Sequence, residues 1–340
     1  MLRLIHLLSR YMLSKPSICI ISPGLAAANN GNWQTAKRWQ QMLSADYHVE
    51  MMLRWDGKPY DAMLALHARR SADSIGQWAV KFPDKLIVLA LTGTDLYRDI
   101  GVDPLAQQSL KLAHRLVVLQ DMGTKSLPAE FQSKCQVIFQ STPRRQPVLK
   151  TTHKLRALMV GHLRSEKSPE TYFAAARALA QRSDIVLDHI GAPLDADLGE
   201  QARQLASEVP TYRYLGEQTH AATRARIARA HVLVHPSRME GGAHVVMEAV
   251  MSGTPVLASR IDGNVGMLGA GYAGYFDCGA ADQLVTVLIE CREGQNQPSS
   301  KLAKLARQCS FREKLFEPLA EQSSLRLIFA QAILKHSKSL

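Results

Sequence analysis

The 340-residue sequence is short of several things. It holds five cysteines (Cys19, Cys135, Cys278, Cys291, Cys309), an odd number never spaced C-x-x-C. That excludes a disulfide scaffold and argues against a structural zinc site. It fits a reducing compartment, so a cytoplasmic location is expected. No apolar run of about 18 residues lacks a charge, which argues against a membrane-spanning helix. No block of five like charges occurs, and basic residues do not alternate with aromatics, so no nucleic-acid platform is expected. No Asp-x-Asp metal motif follows a strand. Asp195-Ala196-Asp197 precedes a helix and reads as its cap. The expectation is a protein without metal or cofactor.

What is present is an ordinary globular composition, 46% hydrophobic and 21% charged. The length suggests two domains, each able to bury a core. The net charge of +11, from 41 Lys+Arg against 30 Asp+Glu, favours anionic partners. Because the basic residues are scattered, small anionic ligands fit better than a polymer. Residues 1–15 form an apolar, basic leader without a signal-peptide cleavage site. They are expected to be an extension outside the fold rather than a stable membrane anchor.

Short apolar runs alternate with helix-period segments, the α/β pattern. Strands are expected at 17–22, 47–53, 61–66, 86–91, 115–119 and 136–139, then at 155–160, 185–190, 212–215, 232–235, 255–259 and 274–276. Helices are expected at 32–44, 71–81 and 104–113, then at 169–181, 197–207, 219–229, 243–252, 280–292 and 298–308, with a last helical region at 311–336. Residues 141–147, with two prolines and two arginines, suggest a linker. The expected fold is α/β, with two doubly wound Rossmann-like domains facing across a cleft. They comprise residues 16–145 and 146–310, followed by a helical segment 311–340 returning to the first domain. In such sheets ligands sit beyond the carboxyl ends of strands.

The densest chemistry is the stretch His235 to Glu248, which follows a strand and opens a helix. Gly241, Gly242, Ala243 and His244 let backbone N–H groups approach an anion, and Glu240 and Glu248 suit hydroxyl recognition. An earlier loop, Gly161 to Pro169, carries His162, Arg164 and Lys167, positive charge suited to a diphosphate. A third, Ser259 to Gly266, offers Gly263 and Asn264 to cradle a sugar. In the first half Gly31 and Asn32 open a helix, and Arg69 and Arg70 after His67 form a candidate oxyanion clamp. Thr92, Gly93, Thr94 and Asp95 follow a buried strand, with Asp95 alternatively a helix cap. His153, His189, His220 and His231 are expected to be structural, as are Trp33, Trp39, Tyr212 and Tyr214.

Glu240 and Glu248, in the frame Pro236-Ser237, Glu240-Gly241-Gly242, Glu248-Ala249 and Gly253-Thr254-Pro255-Val256, resemble the E-x7-E signature of family 4-like GT-B glycosyltransferases. By that resemblance Glu240 would serve the donor sugar and the charge at its anomeric carbon, Glu248 the ribose, and Lys167 the diphosphate. Two departures stand out: His162 occupies the usual arginine position, and Ser168 replaces a glycine. The usual histidine after the fourth strand is absent. Five further stretches are similar to the selenosugar synthases of selenoneine biosynthesis: Gly31 to Trp39, Leu66 to Ala72, Leu91 to Asp99, His235 to Ala243 and Gly263 to Gly269. That resemblance implies a transferase forming a C–Se bond from selenophosphate and UDP-GlcNAc or UDP-glucose. Its donor-side residues would be Gly31, Asn32, His162, Gly241, Gly242, Ala243, His244, Glu248, Gly263 and Asn264. Glu240, Lys167 and Arg164 would be catalytic. The acceptor would meet His67, Arg69, Arg70, Thr92, Gly93, Thr94 and Asp95. A hydroxyl-acceptor glycosyltransferase is the alternative.

Overall fold

The structure is a computed structural model and describes residues 15–24 and 31–336. Residues 1–14 of the leader expected at 1–15, and the loop residues Asn29 and Asn30, lie outside the described residues. The chain divides into two compact units. One runs to Leu119 and adds Thr124–Ile138 and the residues from Glu321 onward; the other holds Gln120–Gly123 and Phe139–Ala320.

The first unit is built on six parallel strands: β1 (Ser17–Ile21), β2 (His48–Met52), β3 (Ala62–Leu66), β4 (Leu86–Leu91), β5 (Arg115–Val118) and β6 (Cys135–Val137), in spatial order β2-β1-β3-β4-β5-β6. Its principal helices are α1 (Gly31–Leu43), α2 (Ala72–Lys81) and α3 (Pro104–Leu112). The two-residue strand period splits the apolar runs between two faces. Ile18, Ile20, Leu64 and Val88 pack with Trp39 and Leu43 of α1, while Cys19, Ile21, Met63 and Leu89 pack with Ile75 and Trp78 of α2.

The second unit repeats the design. Its strands are β7 (Leu155–Val160), β8 (Ile185–Ile190), β9 (Tyr212–Tyr214), β10 (Val232–His235), β11 (Val256–Ser259) and β12 (Tyr275–Phe276), all parallel, in order β12-β11-β10-β7-β8-β9. The helices are α4 (Pro169–Ala178), α5 (Ala196–Glu208), α6 (His220–Arg229), α7 (His244–Val250), α8 (Asp262–Leu268), α9 (Ala281–Glu293) and α10 (Lys301–Ser310). Asp195 caps α5 through a bond from Leu198 N (3.1 Å), as its sequence position suggests.

The last helix, α11 (Pro318–His336), returns its side chains to the first unit. Leu325, Ile328 and Phe329 enter the face lined by α1, and buried Glu321 accepts from Trp39 Nε1 (2.6 Å) and Arg38 Nε (3.2 Å). The carboxylate there has a charged partner and a neutral donor, so its burial is compensated. Residues 141–147, expected to be a linker, are instead strapped onto the second unit. Arg145 N donates to Met251 O (2.8 Å), and buried Arg224 donates to Thr142 Oγ1 and Pro143 O.

Two sequence expectations need correction. The sugar-cradling loop at 259–266 is largely helix, since Asp262–Leu268 forms α8. Residues 95–99, expected in a loop, form a wide helical turn of five residues.

Candidate active site

The second unit gathers Glu240, Lys167 and His235 beyond the carboxyl ends of β7 and β10. Lys167 stands in a short helical turn, Ser165–Lys167, and its stem folds over Gly161. A Cβ at Gly161 would lie 3.5 Å from Lys167 Cγ, an ordinary van der Waals contact. Lys167 Nζ donates to Glu240 Oε1 over 2.5 Å. His235 Nε2 lies 3.2 Å from the same oxygen, off the line of a full hydrogen bond. Burial pushes the Glu240 carboxyl up, but the Lys167 charge and His235 outweigh it and hold it well below the usual carboxylate range. The result is an ionised carboxylate and an ammonium held together in a poorly hydrated place.

Gly263 explains why α8 approaches so closely. A Cβ there would lie 2.1 Å from Glu240 O, so the helix packs on the Glu240 backbone itself. Asn264, fully buried, donates to Ser259 O (2.9 Å) and Oγ (3.1 Å). Gly263 therefore packs on the Glu240 backbone and Asn264 ties down Ser259, at positions where the sequence suggested a sugar cradle.

The residue after Lys167 has φ +48°, in the left-handed region where glycine is the favoured residue. Ser168 adopts it here, and its hydroxyl contacts Thr171 Oγ1 (3.0 Å) and accepts from Arg238 Nε (3.3 Å). His162 does not bring the expected positive charge. Its Nδ1 accepts from Ala192 N (3.1 Å), and burial lowers its pKa from 6.5, so the ring is neutral at pH 7. Arg164 is exposed and lies 3.9 Å from Glu166.

Glu248 sits in α7, buried, with Oε1 2.6 Å from His220 Nε2. That bond raises the His220 pKa above 6.5. His220, at the start of α6, was expected to be structural; it is instead the partner of a candidate ligand-binding carboxylate. Gly241 and Ala243 are buried, and Gly242 and His244 partly so, on the turn into α7.

In the first unit the loops after β3 and β4 are tied together. His67 has φ +71° and is 2% exposed; its Nε2 lies 3.1 Å from Thr94 Oγ1. Asp95 is fully buried and accepts from Thr92 N, Gly93 N and Ala68 N, each at 2.9 Å. This side chain organises both loops, and its oxygens are occupied by backbone, which corrects its place among acceptor-contacting residues. Asp99 receives Arg69 Nε (3.0 Å) and Arg98 Nε (3.1 Å); burial raises its pKa, but the two guanidiniums more than offset that. Arg70 is exposed and pairs with no carboxylate among the described residues. Two guanidiniums, those of Arg69 and Arg98, thus meet one buried carboxylate. Arg98, Asp99 and His235 were given no role from sequence, and His220 only a structural one. The one available signal was their position in segments that follow strands. Gly31 and Asn32 open α1 in the same unit, at the partly exposed start of that helix. Among the described residues no group of three or more His, Cys, Asp or Glu could hold a metal ion, and no helix is long and apolar enough to cross a membrane.

Comparison with known proteins bears on this geometry. Residues 140–308, most of the second unit, match the family model "Glycosyl transferases group 1". A GDP-mannose-dependent alpha-mannosyltransferase of Mycolicibacterium smegmatis is 33% identical over 96 residues, 28% of this chain and 24% of that protein's length. Among solved structures, a sucrose-phosphate synthase from Thermosynechococcus elongatus superposes with a TM-score of 0.73 at 17% identity, covering 96% of this chain and 100% of that one. HepE of Anabaena, in complex with UDP-glucose, gives 0.71 at 13% identity, covering 93% and 99%. The chain therefore has the GT-B architecture of two parallel-sheet, Rossmann-like units.

Proposed function

We propose that the whole chain is a group 1 glycosyltransferase that takes a UDP-sugar, UDP-GlcNAc or UDP-glucose, and transfers the sugar to selenophosphate. The observation carrying the donor half is the Lys167–Glu240–His235 cluster within the family-matching stretch. Transfer from a nucleotide sugar develops positive charge at the anomeric carbon and negative charge on the leaving diphosphate. A preorganised, ionised Glu240 answers the first, and Lys167 with Arg164 the second. Glu248 with His220 suits the ribose. Solved structures of HepE and of the pneumococcal O-GlcNAc transferase GtfA are described with UDP-glucose and with UDP and GlcNAc, which supports UDP as the nucleotide.

The acceptor half rests on the first-unit arginines. Selenophosphate is a small multivalent anion, and Arg69, Arg70 and Arg98 match it. Its selenium attacks the anomeric carbon, the C–Se bond forms, and the C–O bond to UDP breaks with the electron pair leaving on UDP. Water then cleaves the Se–P bond, giving the 1-selenosugar and phosphate. No hydroxyl proton has to be removed, so no general base and no metal is required.

One observation favours a hydroxyl acceptor instead. Although no histidine follows β4, His67 reaches that same loop from the end of β3. A ring there could accept a hydroxyl proton. Initial rates of UDP release separate the two readings. The selenium reading expects release to depend on selenophosphate. It expects Arg69→Ala with Arg70→Ala to raise the acceptor KM at least tenfold with donor affinity intact. Equal rates with hydroxyl acceptors alone, and loss in His67→Ala, would favour the second reading.

A further inference from the structure

The second unit holds a cavity of about 270 Å³ on the side opposite Glu240, where chain segments enter the strands. His231 precedes β10, Pro255 precedes β11, and Lys150 approaches β7. The lining is apolar at Pro255, Leu302, Ala303 and Ala306 and amide- or hydroxyl-bearing at Gln295, Gln297 and Ser300. Lys150 is the cavity's one ionisable cationic side chain among the described lining residues, since His231 is buried with its pKa lowered.

The surroundings of that amine are unusual for a lysine. It is half-buried, and its polar partners are Thr254 Oγ1 (3.2 Å) and Gly253 O (3.4 Å). No carboxylate pairs with it among the described residues. The charged groups next to His231 are cationic as well, Arg156 and Arg292, the latter bound to Asp184 (2.9 Å). An ammonium placed in a half-apolar cavity without a counter-charge is disfavoured against the neutral amine.

We propose that Lys150 is a nucleophilic lysine and a modification site that takes an acyl group from small acyl phosphates entering this cavity. The neutral Nζ attacks the acyl carbonyl carbon and the C–N bond forms. The C–O bond to phosphate breaks, phosphate leaves with the electron pair, and the amine proton goes to solvent. The amide product loses the positive charge. It also loses the ammonium's bonds to Gly253 and Thr254, which close the turn after α7, the helix carrying Glu248.

Burial also brings the amine down to about 8. At pH 7 about a tenth of it is then neutral, against a far smaller share for an ordinary lysine near ~10.4. Lower basicity makes a weaker nucleophile and takes back part of that gain, so a net rate advantage of ~10-fold is expected, by analogy with thiols.

The test is competitive labelling of the native full-length chain by a limiting amount of acetyl phosphate, with each lysine quantified by peptide mass spectrometry. The expected result is that Lys150 acetylates at least ~10-fold faster than exposed Lys154, Lys304 and Lys314 at pH 7, with its rate rising to a midpoint near pH 8. In urea that preference should vanish, because the cavity is gone. A rate no faster than the three exposed lysines, or a preference that survives unfolding, would overturn the proposal.

Discussion

Replacing Lys167 by methionine leaves the Glu240 carboxylate buried with only His235 beside it. The two side chains are 16% and 10% exposed and meet at 2.5 Å. At an effective dielectric near 20 that separation corresponds to a gross attraction of roughly 7 kcal/mol. Part of it repays the desolvation of both ions, and breaking one partner of such a pair typically costs ~3–5 kcal/mol. A domain of this size loses about 2–4 °C of Tm per kcal/mol, so a drop of roughly 6–20 °C is expected. The pH dependence carries the sharper test. In the native chain Glu240 is held below its ordinary 4.5, so it adds stability above that value and loses it only in strong acid. Without Lys167 the largest lowering cause is gone, so burial is expected to outweigh His235 and raise the folded pKa above 4.5. The variant then loses stability as pH rises past that ordinary value, and its deficit against the native chain grows from pH 4 to pH 7. Urea unfolding at both pH values, on the native chain, Lys167→Met and Lys167→Met with Glu240→Gln, measures this. The double variant should recover part of the loss, because it removes the unpaired charge. A deficit that is flat with pH, or no recovery in the double variant, would refute the reasoning.

Three other outcomes follow from the same geometry. Gly263→Ala forces a methyl against Glu240 O, so kcat should fall at least tenfold while UDP affinity, read by calorimetry, changes little; an unchanged kcat would mean the helix yields instead. At φ +48°, Ser168→Gly should be more stable than Ser168→Ala by about 1 kcal/mol in thermal unfolding, since both lose the hydroxyl but only glycine relieves the backbone. His220 should titrate above 6.5 by NMR, and in Glu248→Gln its midpoint should fall. Its folded pKa is raised, so the contact stabilises fully below 6.5 and fades as pH climbs through the folded value.

Much of the fold was legible because both sheets are parallel and buried on both faces. Leu86–Leu91 and Ala62–Leu66 are unbroken apolar runs, and few other structures need such runs between helical segments. Helix α8 was not legible. Asp262-Gly263-Asn264-Val265-Gly266 has two glycines and no side-chain cap, so local propensity argues for a loop. It is helical because Gly263 must lie against Glu240 and Gly266 against Gln120, contacts that no local pattern encodes. The turn at Asp95–Asp99 was hidden for a similar reason, since it depends on one buried carboxylate reaching back to Ala68. In the candidate site Glu240, Glu248 and Lys167 stood out by motif. Their partners His235 and His220 did not, because pairing across 5 and 28 residues is set by tertiary structure.

The central claim is the identity of the bond formed. Incubation of the full-length protein with UDP-GlcNAc and freshly made selenophosphate, with and without EDTA, followed by mass spectrometry, tests it most directly. The account predicts a selenosugar mass bearing the selenium isotope pattern, together with UDP, in equal yield with EDTA. UDP release with no selenium in any sugar product would contradict it.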